Sequence, residues 1–123
     1  MSKSAPKSES KIQREILIDI GSRSTCRMFR NPAGFDREKK VYYGLSRRGS
    51  SDLIGLKSRI IQEEDVGKIV AQFVAIEVKT ARGAIRPEQR DFIAMVKKLG
   101  GRAGVARSIE EARGIVDGGA GCQ

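Results

Sequence analysis

A glutamate and a lysine lie two residues apart in the segment Ile76-Glu77-Val78-Lys79, at the end of the most apolar stretch of the chain. Because successive side chains of a β-strand point to opposite faces, positions 77 and 79 share a face, and a carboxylate there meets an ammonium. Asp52 follows a glycine and two serines and begins another apolar stretch, so it places a second carboxylate at the start of another predicted strand. Asp52, Glu77 and Lys79 are therefore the first candidates for a site that does chemistry.

Two carboxylates and one lysine make an oxygen-ligand site suited to Mg²⁺ or Mn²⁺. Such a site favours hydrolysis of a phosphodiester, because the ion neutralises the phosphate, lowers the pKa of a bound water and orients it for in-line attack. Lys79 would stabilise the developing charge or help to activate the water. The alternative is that Glu77 and Lys79 form an ordinary solvated ion pair and that Asp52 belongs to a turn.

Composition narrows the classes of function. The 123 residues include 24 Lys and Arg against 15 Asp and Glu, and the net charge of +9 favours a polyanion, first of all a nucleic acid, as the partner. Histidine is absent, which excludes Ser-His-Asp and Cys-His catalysis and HExxH zinc sites. Cys26 and Cys122 are too few for a disulfide framework, so we expect a reduced, cytoplasmic protein. The first residues lead into no apolar segment and no run of about 18 apolar residues follows, so we expect neither a secretion signal nor a membrane span.

The surplus of positive charge lies in the first half of the chain. Residues 1–50 contain 12 Lys and Arg against 5 Asp and Glu, whereas residues 51–123 contain 12 against 10. We expect contacts with phosphates from this half, with a solvated surface as the alternative for each residue. The nearby rings of Phe35, Tyr42 and Tyr43 can either stack on an unpaired base or pack in the core. The candidate DNA-binding residues are Arg30, Lys39, Lys40, Arg47 and Arg48.

The elements that must position these residues follow an α/β pattern with a mixed sheet. Capping serines, a proline at a first helical position and glycines at helix ends predict three helices. They are Ser8–Gly21, Pro87–Leu99 and Ser108–Val116. The predicted strands are Thr25–Phe29, Val41–Tyr43 as its hairpin partner, Asp52–Leu56, a central strand Lys68–Val78, and Ala103–Ala106. Residues 8–117 would form one domain between a flexible basic N-terminus (1–7) and a flexible glycine-rich tail (118–123).

Four segments in this order resemble the VRR-NUC family, the virus-type replication-repair nucleases of the PD-(D/E)XK superfamily. They are Gly49-Ser50-Ser51-Asp52, Phe73-Val74-Ala75-Ile76-Glu77-Val78-Lys79, Arg86-Pro87-Glu88-Gln89 and Gly100-Gly101-Arg102-Ala103-Gly104-Val105-Ala106. The resemblance implies a PD-(D/E)XK nuclease-like core with a mixed β-sheet flanked by helices. The sequence departs from the family's pattern in the charged interval 62–67. The shape of the connection between the Asp52 and Glu77 segments is therefore left open.

The resemblance also implies roles for particular residues. Asp52 and Glu77 would be ligands of Mg²⁺ or Mn²⁺, the carbonyl of Val78 a further ligand, and Lys79 the catalytic lysine. Gln89, on the helix that follows, would belong to the catalytic set, with a solvent-facing polar residue as the alternative.

On the first helix, Glu9 matches a metal-ligand position of the family and Gln13 is a secondary candidate. Glu9 can equally be a carboxylate that complements the helix dipole, and Glu15 is the competing acid.

The function implied is a metal-dependent, structure-selective endodeoxyribonuclease. The resemblance to stand-alone phage-encoded members implies a homodimer that acts on branched DNA such as Holliday junctions, in phage replication, recombination or repair, within the host cytoplasm and without an organic cofactor. The alternatives are a nuclease-like DNA-binding module without cleavage activity and an enzyme that cuts at one sequence.

Overall fold

The computed structural model describes residues 5–45 and 49–118 of the chain. These residues contain three α-helices, six short strands and one 3₁₀ turn, which confirms the mixed α/β class. The backbone divides into two compact units, Met1–Lys57 and Ser58–Gln123. Within the described ranges, no helix is long and apolar enough to cross a membrane. Arg47 and Arg48, the first four residues and residues 119–123 of the predicted tail lie outside the described residues.

The first unit contains one helix and four strands. Their bounds are α1 Glu9–Gly21, β1 Cys26–Arg30, β2 Gly34–Asp36, β3 Val41–Tyr43 and β4 Leu53–Lys57. Helix α1 begins where predicted, because the Ser8 side chain accepts a hydrogen bond from the Lys11 N–H. Strands β1 and β4 pair antiparallel from Cys26 opposite Lys57 to Arg30 opposite Leu53. Gly55 permits this close pairing, since a Cβ there would collide with the Arg27 carbonyl oxygen.

The predicted hairpin partner of the first strand is wrong. Strand β1 pairs with β4, and Val41–Tyr43 pairs instead with Gly34–Asp36. The reversal closes locally because the Asp36 carboxylate accepts hydrogen bonds from two successive backbone N–H groups, those of Glu38 and Lys39. Lys40 completes the turn in the left-handed region, at φ 54°.

The second unit is built on a parallel strand pair. Its elements are the 3₁₀ turn Glu63–Asp65, β5 Val74–Val78, α2 Pro87–Lys98, β6 Arg102–Ala106 and α3 Ile109–Asp117. Strand β5 pairs with β6 from Val74 opposite Arg102 to Val78 opposite Ala106, and both helices contact the pair. Val96, fully buried on α2, packs against the chain at Gly101, where a Cβ would lie 2.7 Å from its Cγ1.

The predicted strand Lys68–Val78 is too long. Only Val74–Val78 is a strand, because β6 offers a ladder of five residues. The preceding segment is held by other bonds: Lys68 N–H donates to the Asp65 carbonyl, and Gln72 donates to the Gly100 carbonyl. Ile69 in this segment is fully exposed, so its apolar side chain does not indicate a buried strand.

Asp65 holds the charged interval that precedes this strand. Its side chain is buried and accepts hydrogen bonds from the Arg59 guanidinium and from the Gln62 N–H. The Arg59 guanidinium, followed by that backbone N–H, holds the pKa of the Asp65 carboxyl below its usual range. The interval is therefore an ordered turn closed by a charge-assisted bond.

Candidate active site

Glu77 and Lys79 meet at the end of β5, as the alternation of strand side chains predicts. The Lys79 Nζ lies 3.5 Å from the Glu77 Oε1, with the two side chains 16% and 32% exposed. The Lys79 N–H donates to the Ala106 carbonyl over 3.1 Å, which continues the parallel ladder one residue beyond Val78. The Lys79 backbone, directly after β5, is therefore fixed to β6, and the ammonium is partly withdrawn from water beside a carboxylate.

Gln89 completes this cluster from the first turn of α2. Its Nε2 donates to the Glu77 Oε1 over 2.8 Å, and its Oε1 accepts the Arg86 N–H over 3.0 Å. The second bond is the helix-start contact expected of a glutamine three residues after the N-cap. Because the carbonyl oxygen of the amide faces the backbone N–H, the amide NH₂ is directed to the glutamate.

A shallow cleft of about 190 Å³ opens beside these side chains. Strand β5 and the first two turns of α2 line it, with Glu77 and Gln89 at its polar side. Its lining also contains a second carboxylate, that of Glu88, which the sequence did not indicate as a site residue. The lining residues are Ala75, Ile76, Glu77, Glu88, Gln89, Phe92 and Ile93.

Arg107 holds the connection between the lysine and α2. Its Nη1 donates to the Thr80 carbonyl and, over 2.9 Å, to the Gly83 carbonyl. Its own N–H donates to the Glu111 carboxylate at the start of α3. Sequence reasoning missed this residue, because its role depends on the parallel register: since Val78 lies opposite Ala106, the residues that follow the two strands are neighbours.

Asp52 lies in the first unit, directly before β4. Its carbonyl accepts the Asn31 N–H over 2.8 Å, and its side chain is exposed. The Asn31 side chain also donates to the Ser51 carbonyl over 2.9 Å and accepts the Leu45 N–H over 3.2 Å. Asn31 therefore fixes the bend that carries Asp52. Sequence reasoning did not select Asn31, because its partners are 14 and 20 residues away.

The first-helix candidates are also in this unit. Gln13 accepts a hydrogen bond from the Arg30 guanidinium over 3.1 Å, so two predicted site residues contact one another. Glu9 is the first residue of α1 and is exposed, as expected of a carboxylate that complements the helix dipole. The competing acid, Glu15, pairs with Lys7 over 2.7 Å.

The structure thus brings together three of the predicted site residues, Glu77, Lys79 and Gln89, within the second unit. Val78, on β5 between Glu77 and Lys79, is also in this unit. The remaining described candidates belong to the first unit, where Lys39 and Lys40 are exposed in the turn between β2 and β3. These candidates are Glu9, Gln13, Arg30, Lys39, Lys40 and Asp52.

The donor atoms available are hard oxygens. Among the described residues no group of three or more His, Cys, Asp or Glu side chains is gathered. A partly exposed carboxylate and the carbonyl that follows it, at Glu77 and Val78, are nevertheless of the type that Mg²⁺ and Mn²⁺ prefer, since both ions also retain water. The donor chemistry therefore fits a hard divalent cation.

Comparison with known proteins assigns a family to this fold. The family model described as VRR-NUC domain matches residues 8–110, which is 103 of the 123 residues. The match spans α1, all six strands and α2, and it contains every site residue predicted above. Neither the curated proteins nor the solved structures contain a significant match to the chain.

Proposed function

Because this chain belongs to the VRR-NUC family, whose members are nucleases, we propose that it is a metal-dependent, structure-selective DNA endonuclease. Family membership implies nuclease activity with DNA as the substrate. The observation that carries the finer proposal is the cluster at the end of β5, where Glu77 is contacted by Lys79 over 3.5 Å and by Gln89 over 2.8 Å. An ordinary ion pair on a solvated surface does not require a glutamine that is hydrogen-bonded to a helix start. A carboxylate that binds a metal ion, in contrast, must be held in one orientation.

Nuclease domains of this family generally use divalent metal ions. Asp52, Glu77 and the Val78 carbonyl would hold Mg²⁺ or Mn²⁺, with Glu9 as a further ligand. When bound, such an ion neutralises the scissile phosphate and acidifies a coordinated water.

The remaining side chains have separate tasks in this proposal. Lys79 places its ammonium where negative charge develops on the phosphate as the phosphodiester breaks. Gln89 keeps the Glu77 carboxylate in one orientation through its Nε2. Gln13 orients Arg30, which contacts a DNA phosphate. Lys39 and Lys40, together with Arg47 and Arg48, neutralise further phosphates, so that affinity falls as salt rises.

Branched DNA, such as a Holliday junction, is the proposed substrate, and a homodimer the proposed assembly. A chain of 123 residues with a net charge of +9 is suited to phosphate contacts and to DNA shape rather than to extensive reading of base sequence. A dimer would supply two sites for two strands. This activity corresponds to a phage-type member of the PD-(D/E)XK superfamily that acts in the host cytoplasm during replication, recombination or repair.

Cleavage of defined DNA structures tests the proposal. Labelled four-way junction, flap and linear duplex are incubated with the protein in Mg²⁺, in Mn²⁺ and in EDTA. Lys79→Ala is compared with Lys97→Ala, which removes the same charge in the last turn of α2, whereas the cluster of Glu77, Lys79 and Gln89 lies at the first turn.

Paired cuts across the junction that require metal and Lys79, and that persist in Lys97→Ala, are the expected result. Cleavage in EDTA or full activity of Lys79→Ala would overturn the site. Tight, salt-sensitive binding without cleavage would instead establish the DNA-binding module.

A further inference from the structure

The hairpin of β2 and β3 presents two aromatic rings to solvent. Phe35 and Tyr42 face each other across the strand pair, and their ring centroids lie 4.9 Å apart with the planes inclined at 54°. The two residues are 48% and 65% exposed. Each strand of this hairpin has three residues, and the side chain of the central one points to the face opposite that of its two neighbours. One face of the hairpin therefore consists of the rings of Phe35 and Tyr42, and we call it the aromatic face.

The third ring of the hairpin has a structural role on the opposite face. Tyr43 lies across Gly34, its cross-strand partner, where a Cβ would come within 2.6 Å of the ring carbon Cζ. The missing side chain of Gly34 therefore makes room for Tyr43. The sequence left open which rings pack and which are available for stacking. All three are exposed, Tyr43 at 51%, but the Tyr43 ring lies over the backbone at Gly34 on the opposite face, whereas Phe35 and Tyr42 pair with each other.

Positive charge lies next to the aromatic face. The turn between the two strands contains three cations, Arg37, Lys39 and Lys40, all exposed. The turn 37–40 also contains the exposed carboxylate of Glu38, so its three cations and one anion leave a net charge of +2. The Asp36 carboxylate accepts hydrogen bonds from the backbone N–H groups of the turn. Exposed rings beside exposed cations are the combination with which proteins bind unpaired nucleic acid.

The two ends of the hairpin, at Asn31 and Leu45, form its neck, and this neck is hydrogen-bonded to the bend that carries Asp52. The Asn31 side chain contacts Leu45 after the hairpin and Ser50 and Ser51 before Asp52, and the Asn31 N–H donates to the Asp52 carbonyl. Gly44, with φ +74°, permits the turn at the neck, where a Cβ would lie 2.6 Å from the Pro32 carbonyl oxygen. The aromatic face therefore has a defined connection to a predicted metal ligand.

We propose that the aromatic face stacks an unpaired base of single-stranded DNA while the turn cations contact the flanking phosphates. Two rings offer far less than the roughly 800 Å² per partner of a stable protein interface, so a planar base is the occupant that fits. Bases in a duplex are already stacked, and the face therefore selects strands with unpaired bases. This inference rests on the proposed nuclease function and adds that, among branched substrates, the protein favours those with an unpaired segment near the scissile phosphate.

Tyrosine fluorescence tests the stacking directly, because the chain contains two tyrosines and no tryptophan. In Tyr43→Phe, Tyr42 is the single emitter. This variant is titrated with a dT oligomer in EDTA, and separately with an abasic oligomer of equal length, which carries the phosphates without the bases. Quenching by the dT oligomer and not by the abasic one is expected. Equal quenching, or none, would overturn the proposal.

Anisotropy of a labelled dT oligomer, also in EDTA, gives a second readout. Phe35→Leu and Tyr42→Leu should each weaken binding about five- to hundredfold, the range expected for loss of one stacked base. Tyr42→Phe, which keeps a ring, should retain affinity, and so should Val41→Ala on the other face of the hairpin. Unchanged affinity of both leucine variants would refute the stacking site.

The two proposals fail separately. Both binding measurements are made in EDTA and do not depend on cleavage, so quenching by bases in an inactive protein would support the stacking site and contradict the nuclease. Metal-dependent cleavage without base-specific quenching would do the reverse.

Discussion

Gln89 donates to the Glu77 Oε1 over 2.8 Å while its own amide oxygen accepts the Arg86 N–H over 3.0 Å. The glutamine therefore links the start of α2 to the carboxylate at the end of β5. Since the backbone bond fixes which end of the amide faces the glutamate, the orientation of Glu77 depends on the position of the helix.

Substitution of Gln89 should weaken cleavage without abolishing it. Gln89→Ala removes the bond that orients Glu77, and loss of such a supporting partner costs about 10–100-fold in metal affinity or activity. Gln89→Glu should be worse, because two carboxylates would then repel each other. The measurement is the cleavage rate as a function of Mg²⁺ concentration, with the half-saturating concentration expected to rise.

Asp91→Asn is the matched control for Gln89, because it changes an exposed position of the same helix. An unchanged Mg²⁺ dependence in Gln89→Ala would show that the bond to Glu77 is structural.

Asp52→Asn should abolish cleavage and leave DNA binding intact. The amide keeps the size of the side chain but removes the negative charge that a divalent ion requires. Binding is measured in Ca²⁺ by electrophoretic mobility shift, and cleavage in Mg²⁺ on the same substrate. Asp19→Asn, an exposed aspartate of α1, is the control for the change of charge. If Asp52→Asn cleaves at the wild-type rate, Asp52 is not a metal ligand.

Local signals predicted the helices because their causes are local. Ser8 and Ser108 cap α1 and α3, and Pro87 occupies the first position of α2. Strand partners could not be predicted from such local signals, because the sequence around Val41–Tyr43 does not indicate which strand it pairs with. The pairing with Gly34–Asp36 depends on a turn that Asp36 closes.

The candidate site was likewise predictable only where it depends on local sequence. Alternation along one strand placed Glu77 beside Lys79, whereas the contacts of Asn31 and Arg107 connect positions that are distant along the chain. Such contacts are fixed by the register of β1 with β4 and of β5 with β6, and no local pattern encodes either register.

Arg107→Ala should lower both stability and cleavage, because it removes the Nη1 hydrogen bonds to the Thr80 and Gly83 carbonyls and loosens the connection between Lys79 and α2. The expected loss in the free energy of unfolding is about 1 kcal/mol, the typical contribution of a hydrogen bond. Denaturant melts give this value, and single-turnover rates at saturating Mg²⁺ give the loss in cleavage. Arg113→Ala, exposed on α3, is the control.

Arg107→Lys separates position from charge. A lysine keeps the charge but lacks the rigid, planar guanidinium that holds Nη1 against both carbonyls, so its cleavage should be intermediate. Full cleavage by Arg107→Ala would mean that the connection does not position Lys79.

Asp65 should make the stability of the chain sensitive to acid. Its pKa is lowered in the folded state, first by the Arg59 guanidinium and then by the Gln62 N–H. A group with a lowered folded pKa contributes its stability above the unfolded value, which is about 3.9 for aspartate, and loses it as the pH falls below that value towards the folded pKa. Asp65→Asn should therefore lower the denaturation midpoint at pH 7, and the difference from wild type should shrink below about pH 4. Denaturant melts between pH 3 and pH 7 measure this, with the exposed neighbour Glu64→Gln as control. A difference that stayed constant across that range would show that the carboxylate charge of Asp65 does not stabilise the turn.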